Sequence, residues 1–225
     1  MVCLQGIEVS WMETNKIKIN TVIISILVIA AIEIIVRLVI NQNLVAPLIG
    51  LGLARLSEIV FLLILVKISE KGFSVIGLTS ANVYKGFKKG FIWAVIFGVA
   101  AGVVLFIIYL LGINVPALFQ MQLPAKSRNI FAFFLIGAFF GPLAEEIFFR
   151  GILYGFFRRW GIPAAVILST LLFVLSHTSG PAIPVTQLIG GILFAVAYEI
   201  EKNLLVPIII HVLGNLAIFT LALIL

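Results

Sequence analysis

The chain has 225 residues, 63% of them hydrophobic and 11% charged, with a mean hydropathy of +1.28. Charged residues make up about 25% of an ordinary globular domain, so this composition excludes a water-soluble fold. The net charge of +6 then reads as membrane orientation, and no nucleic-acid partner is expected.

Residues 1–16 form an N-terminal segment without a pattern, and their single cysteine, Cys3, excludes an intramolecular disulfide and a multi-cysteine metal site. From there, apolar runs long enough to cross a bilayer as helices recur. They predict spans at roughly 17–40, 44–68, 89–111, 130–157, 161–178, 184–200 and 204–225. The expected fold is all-α, a polytopic transmembrane helical bundle of about seven spans, or eight if one run divides. The first run is long enough to be a span, which excludes a cleavable signal peptide. Residues 17–129 supply the N-terminal spans and a polar segment, KGFSVIGLTSANVYKGFKKG, read as a loop with a short interfacial helix. Gly112 to Arg128 is a second long loop, broken by Pro116 and Pro124. Residues 130–225 carry every motif discussed below.

The basic residues set an orientation. Lys16, Lys18, Lys67, Lys71, Lys85, Lys88, Lys89, Arg158, Arg159 and Lys202 fall on one side, against Lys126 and Arg128 on the other. The positive-inside rule makes the first side cytoplasmic and predicts N-in, C-out. The Lys- and Ile-rich composition fits a bacterial plasma membrane.

Charges within spans are costly, roughly 2.5–3.5 kcal/mol each at the bilayer centre. Three helical spacings offer local ion pairs: Glu33 with Arg37, Arg55 with Glu58, and Glu146 with Arg150. Glu145 has no basic residue at such a spacing and points about 100° away from Glu146. An isolated intramembrane carboxyl is either a protonated helix–helix contact or a working group in a wet cavity. The two histidines, His177 and His211, both lie in or at the end of predicted spans, with Phe173 and Asn215 one turn away. Gly141-Pro142 should kink or restart the fourth span. Gly151 and Gly155 form a GxxxG pair suited to close packing. Thr178-Ser179-Gly180-Pro181 ends the fifth helix just after His177, and Pro207 could open the last helix before His211.

All nine acidic residues are glutamate, which excludes an aspartyl intramembrane protease. There is no HExxH for a zinc protease and no GxSG nucleophile, and Cys3 has no partner. Glu/His chemistry on water remains, or a proton relay using the same residues.

At these positions the sequence resembles the CPBP family of intramembrane proteases (CAAX proteases and bacteriocin-processing or Abi proteins). The family pattern EExxxR, FxxxH, HxxxN/D is met by Glu145-Glu146 to Arg150, by Phe173 to His177, and by His211 to Asn215. The resemblance covers residues 130–220 and leaves the first half as the family's variable N-terminal part. It implies an endopeptidase of the type II CAAX prenyl protease kind. Its expected partners are the lipid bilayer and a membrane-associated peptide or protein, prenylated or bacteriocin-like. In one assignment Glu145 is general base, His177 helps hold the water, and His211 with Asn215 faces the oxyanion. Glu146, Arg150 and Phe173 then give structural support. In the other, Glu145, His177 and His211 bind a divalent metal such as zinc. Outside proteolysis, the same motifs would serve a self-immunity or scaffold protein, or a proton-coupled transporter. Counting about 1.5 Å per residue from the predicted boundaries sets His211 shallow, Glu145 mid-depth and His177 deep, so a shared site requires tilted or staggered helices.

Overall fold

In a computed structural model, which describes residues 17–114, 127–178, 180 and 184–224, the seven apolar runs become seven antiparallel helical rods. The first two are α1, Ile19–Asn41, and α2, Pro47–Ser69. Two 3₁₀ turns, Ser74–Ile76 and Ser80–Asn82, lead into α3, Val83–Leu110. The expected interfacial helix is thus a pair of turns, and Lys85, Lys88 and Lys89 sit on the first turns of α3, which begins six residues before the predicted 89. Among the described residues there is no strand. Residues 1–16, the prolines of the Gly112–Arg128 loop, Lys126, Ser179 and Pro181 lie outside the described residues.

The fourth rod, α4, runs through several hydrogen-bonding registers. An α-helix Ser127–Phe134 passes into a π-helix Leu135–Phe140, an α-helix Gly141–Glu146, a π-helix Ile147–Tyr154, a short α-helix Gly155–Phe157 and a closing 3₁₀ turn Arg158–Trp160. Pro142 has no N–H to donate to the carbonyl four residues back, and the Gly141 N–H reaches five residues back, to Ile136. The rod therefore continues through Gly141-Pro142, and the expected disturbance takes the form of a change from π to α register. Such π segments often mark functional stretches of helix.

The remaining rods are α5, Ile162–Ser176, α6, Val185–Glu201, and α7, Leu205–Ile224. Among the described residues, five helices are long and apolar enough to cross a membrane. The fifth and sixth predicted spans, α5 and α6, have only 15 and 17 residues. Apolar side chains remain exposed along α1, α3 and α5, for example Leu27 at 63%, Val99 at 62% and Ile167 at 63%, as expected of helices whose outer faces meet lipid.

One core cluster joins both halves of the chain. Ile17, Leu62, Val66 and Ile76 pack with Ile147, Ile152, Tyr154 and Leu204. Glycines permit the close approaches. A side chain at Gly151 would press on Ile76, and one at Gly155 on Ile17. The GxxxG pair is a packing device, as read, but its neighbours are a 3₁₀ turn and Ile17, two residues before α1, rather than a second helix.

The α6–α7 turn is also buried. Asn203 and Leu204 are 3% and 0% exposed, Asn203 Nδ2 donates to the Asn82 carbonyl at 2.8 Å, and its Oδ1 accepts from Leu205 N at 3.0 Å. Gly77 has φ +74°, and a Cβ there would lie 2.6 Å from the Lys202 carbonyl oxygen.

Gly77→Ala combines a left-handed backbone costing about 1–2 kcal/mol with a clash against main chain, so it should lower the thermal midpoint of the detergent-solubilised protein. Gly98→Ala, where a methyl group meets nothing within 4 Å, should leave it unchanged or raise it. Thermal unfolding of the two variants checks this.

Candidate active site

The centre of the bundle is a charged unit with no exposure. Glu146 and Arg150 are both 0% exposed, and Arg150 Nη1 donates to Glu146 Oε1 at 2.9 Å. The spacing on α4 predicts this pair. The sequence does not predict what else the unit holds. Arg150 Nη2 donates to the Gly191 carbonyl on α6 at 3.3 Å. The guanidinium carbon lies 4.5 Å from the ring centroid of Phe173 on α5 and 5.2 Å from that of Phe194 on α6. Aromatic faces help hold a desolvated cation. A side chain at Gly191 would meet Thr170 at 2.9 Å, so only glycine lets α6 approach α5 closely here.

Glu146 also holds a histidine. Its Oε1 lies 2.8 Å from His211 Nδ1. A carboxylate accepts, so Nδ1 carries the proton and Nε2 is left for other work. Phe194 stacks on the His211 ring at 4.6 Å and 25°. The sequence reading gave Glu146 only its pairing with Arg150; the second contact joins α4 to α7, which no single-helix spacing can predict. Gly191 and Phe194 went unread for the same reason.

His177 is fixed in a parallel way. It caps α5, and its Nδ1 lies 2.8 Å from the Phe173 carbonyl. A carbonyl only accepts, so again Nδ1 is the donor. Phe173 contributes twice, its carbonyl to this bond and its ring to His177 at 4.5 Å.

Both free nitrogens turn to Glu145. His177 Nε2 is 3.7 Å from Glu145 Oε1, and His211 Nε2 is 3.8 Å from Glu145 Oε2. The three predicted residues therefore share one site. The depth mismatch disappears because the α6–α7 turn is buried beneath residues 76–86, so counting from a surface boundary places His211 too shallow. Glu145 and His177 are equally far from the α4–α5 turn at Gly161 and so stand level. Asn215, one turn beyond His211, donates its Nδ2 to the Gly137 carbonyl at 3.0 Å, in the first π segment. Its amide is thus tied to α4, and the structure brings it to no described contact with Glu145.

Neutral Nε2 atoms and carboxylate oxygens are all acceptors. Acceptors facing one another at these distances require a proton or a shared donor such as water between them. Among the described residues, no group of three or more His, Cys, Asp or Glu is arranged to hold a metal ion.

A cavity of about 510 Å³ opens beside Glu145 and His177. Its far wall comes from α1 and α2: Glu33, Arg37, Arg55 and Glu58. Arg55 bridges the helices, with Nη2 2.6 Å from Glu33 and Nη1 2.5 Å from Glu58. The Arg55–Glu58 pair is thus as expected. The Glu33–Arg37 pair is not formed: Glu33 turns to Arg55 across the helix interface, because a partner on α2 satisfies it together with the buried Glu58.

A family model for Rce1-like type II CAAX prenyl endopeptidases matches residues 127–217. Glu145, Glu146, Arg150, Phe173, His177, Gly191, Phe194, His211 and Asn215 all fall inside that match, and the α1–α2 wall falls outside it. A membrane-embedded CAAX protease, MroQ, of Staphylococcus aureus (strain USA300) is 38% identical over 98 residues, 40% of this chain and 38% of that protein. The alignment thus spans well under half of that relative's length. No solved structure matches.

Removing one partner of a buried ion pair costs about 3–5 kcal/mol. Arg150→Met should therefore destabilise the protein by about that amount. Adding Glu146→Gln should recover part of the loss, since no unpaired charge remains. Chemical or thermal unfolding of the single and double variants in detergent measures both steps.

Proposed function

We propose that this protein, whose residues 127–217 match the model for Rce1-like type II CAAX prenyl endopeptidases, is an intramembrane endopeptidase working through Glu145. The observation that carries the reading is the pair of Nε2 atoms facing the two Glu145 oxygens at 3.7 and 3.8 Å, each with its Nδ1 bonded elsewhere. A water held between Glu145 and His177 loses a proton to Glu145 as it attacks the scissile carbonyl. His211, its Nδ1–H held by Glu146, acts in its doubly protonated form, Nε2–H donating to the developing oxyanion or to the departing amine. Asn215 has a second amide N–H for the oxyanion, and its bond to Gly137 fixes the side chain.

Protonation of the leaving nitrogen completes the reaction, and Glu145 or a histidine returns the proton. No step is assigned to a metal. The substrate is a membrane-associated peptide, of the prenylated or bacteriocin-like classes, with its cleavage point held in the cavity. The basic end of the bundle faces the cytoplasm, which corresponds to N-in.

Glu145→Gln should abolish cleavage of a membrane-tethered peptide with normal expression, a loss of about 100-fold or more for a general base. Unchanged cleavage in that variant would overturn the reading and return the site to a packing role. Purified protein dialysed against a chelator should keep its activity. Loss on chelation with recovery on added zinc would replace the water mechanism by the metal one.

A further inference from the structure

The cavity beside Glu145 is walled on one side by two regular stripes. Ile29, Glu33 and Arg37 line it from successive turns of α1, and Arg55, Glu58 and Leu62 from successive turns of α2. Spacings of three and four residues put each set on one helical face. This wall lies outside residues 127–217, the stretch that matches the family model. It is thus separate from the motif residues and free to serve recognition rather than bond cleavage.

The charges on the wall are unequally committed. Arg55 donates Nη2 to Glu33 at 2.6 Å and Nη1 to Glu58 at 2.5 Å, so both carboxylates rest on one guanidinium. Glu145 is faced by the two histidines. Arg37 is left over. It is exposed, lines the cavity and has no hydrogen-bond or ion-pair partner among the described residues. Glu33, one turn away on the same face, is turned to Arg55.

An arginine within an apolar span is costly unless something answers its charge. Its planar fork of N–H donors fits a carboxylate through two parallel bonds. Arg37 and Glu145 border the same cavity of about 510 Å³, a space on the order of 10 Å across, or about three residues of extended chain at roughly 3.3 Å each. A carboxylate bound by Arg37 would therefore lie close in sequence to a peptide bond held at Glu145.

We propose that Arg37 forms a carboxylate-binding subsite of the cavity, selecting peptides that carry an acidic side chain or a free C-terminus within about three residues of the bond at Glu145. Arg55 holds Glu33 and Glu58 away from this guanidinium and so keeps it open. That the ligand is a substrate rests on the peptidase reading; that the cavity binds a carboxylate does not.

The test measures binding to the full chain in detergent, in a Glu145→Gln background that leaves bound peptide intact. The probe is a fluorescent, N-myristoylated alanine–leucine hexapeptide in four forms: the free acid, the C-terminal amide, and the amide with glutamate or glutamine third from the end. Fluorescence anisotropy should show the free acid or the glutamate form binding about tenfold or more tightly than its neutral counterpart, as a charge-assisted pair gives. Whichever of the two is preferred identifies the source of the carboxylate. Arg37→Gln should erase the preference, and Arg37→Lys should restore part of it. Equal binding of all four forms, no binding of any, or a preference that survives Arg37→Gln overturns the proposal. The same peptides are then given to the protein with Glu145 intact. Cleavage without a carboxylate preference sinks this inference and keeps the peptidase reading. A preference that depends on Arg37, without cleavage, does the opposite.

Discussion

A guanidinium with no solvent exposure has to be neutralised and surrounded, and the Arg150 charge organises everything near it. Its partners are a carboxylate on its own helix, a main-chain carbonyl on α6 and the faces of aromatic rings from α4, α5 and α6. The partners come from three rods, so satisfying one charge fixes the relative placement of α4, α5 and α6. Glu146, drawn in by the same demand, then extends the arrangement to α7 through His211. Most of this is invisible as local pattern. It is a consequence of the cost of leaving a charge alone in a low dielectric.

The two histidines illustrate how little is needed to define a reactive geometry once that frame exists. One Nδ1 is committed to a carboxylate and the other to a peptide carbonyl. Both commitments dictate the same tautomer, and the remaining nitrogens meet on Glu145. The adjacent glutamates of the EE pair thereby have separate duties. The inner one is part of the scaffold and sets the imidazole, while its neighbour, 20% exposed on its side chain, keeps contact with the cavity. Their separation follows from the roughly 100° turn between successive helical residues.

Much of the fold and the candidate site was legible in the sequence. Apolar run lengths located seven rods, and i,i+4 spacing located the Glu146–Arg150 pair. The isolation of Glu145 and the rarity of histidine singled out the three residues that meet. The illegible features all depend on contacts between helices distant in sequence. Glu33 has Arg37 one turn away yet bonds Arg55, since helical spacing says which partners are available and not which wins. Glu146 looked complete with one arginine, because its histidine is 65 residues away. The depth of His211 was misjudged because a turn composed of Lys202, Asn203 and Leu204 reads as a surface loop and is in fact covered by the segment before α3. Pro142 signalled a disturbance correctly, but the sequence offered no means of telling a break from a widened helical register.

The brevity of α5 has a consequence for the lipid around it. Fifteen residues make a rod of about 22 Å, against a hydrocarbon layer of about 30 Å. Its outward residues are apolar, with Leu171 and Leu175 at 50% and 58% exposure, so acyl chains must follow them and then end early. A span this short is met by local thinning of the bilayer, by snorkelling of flanking residues or by association with a further helix, and thinning would bring the headgroup layer toward the last turn of the helix, where His177 sits. A peptide resting at that depressed interface would need to travel only a short way inward to reach Glu145.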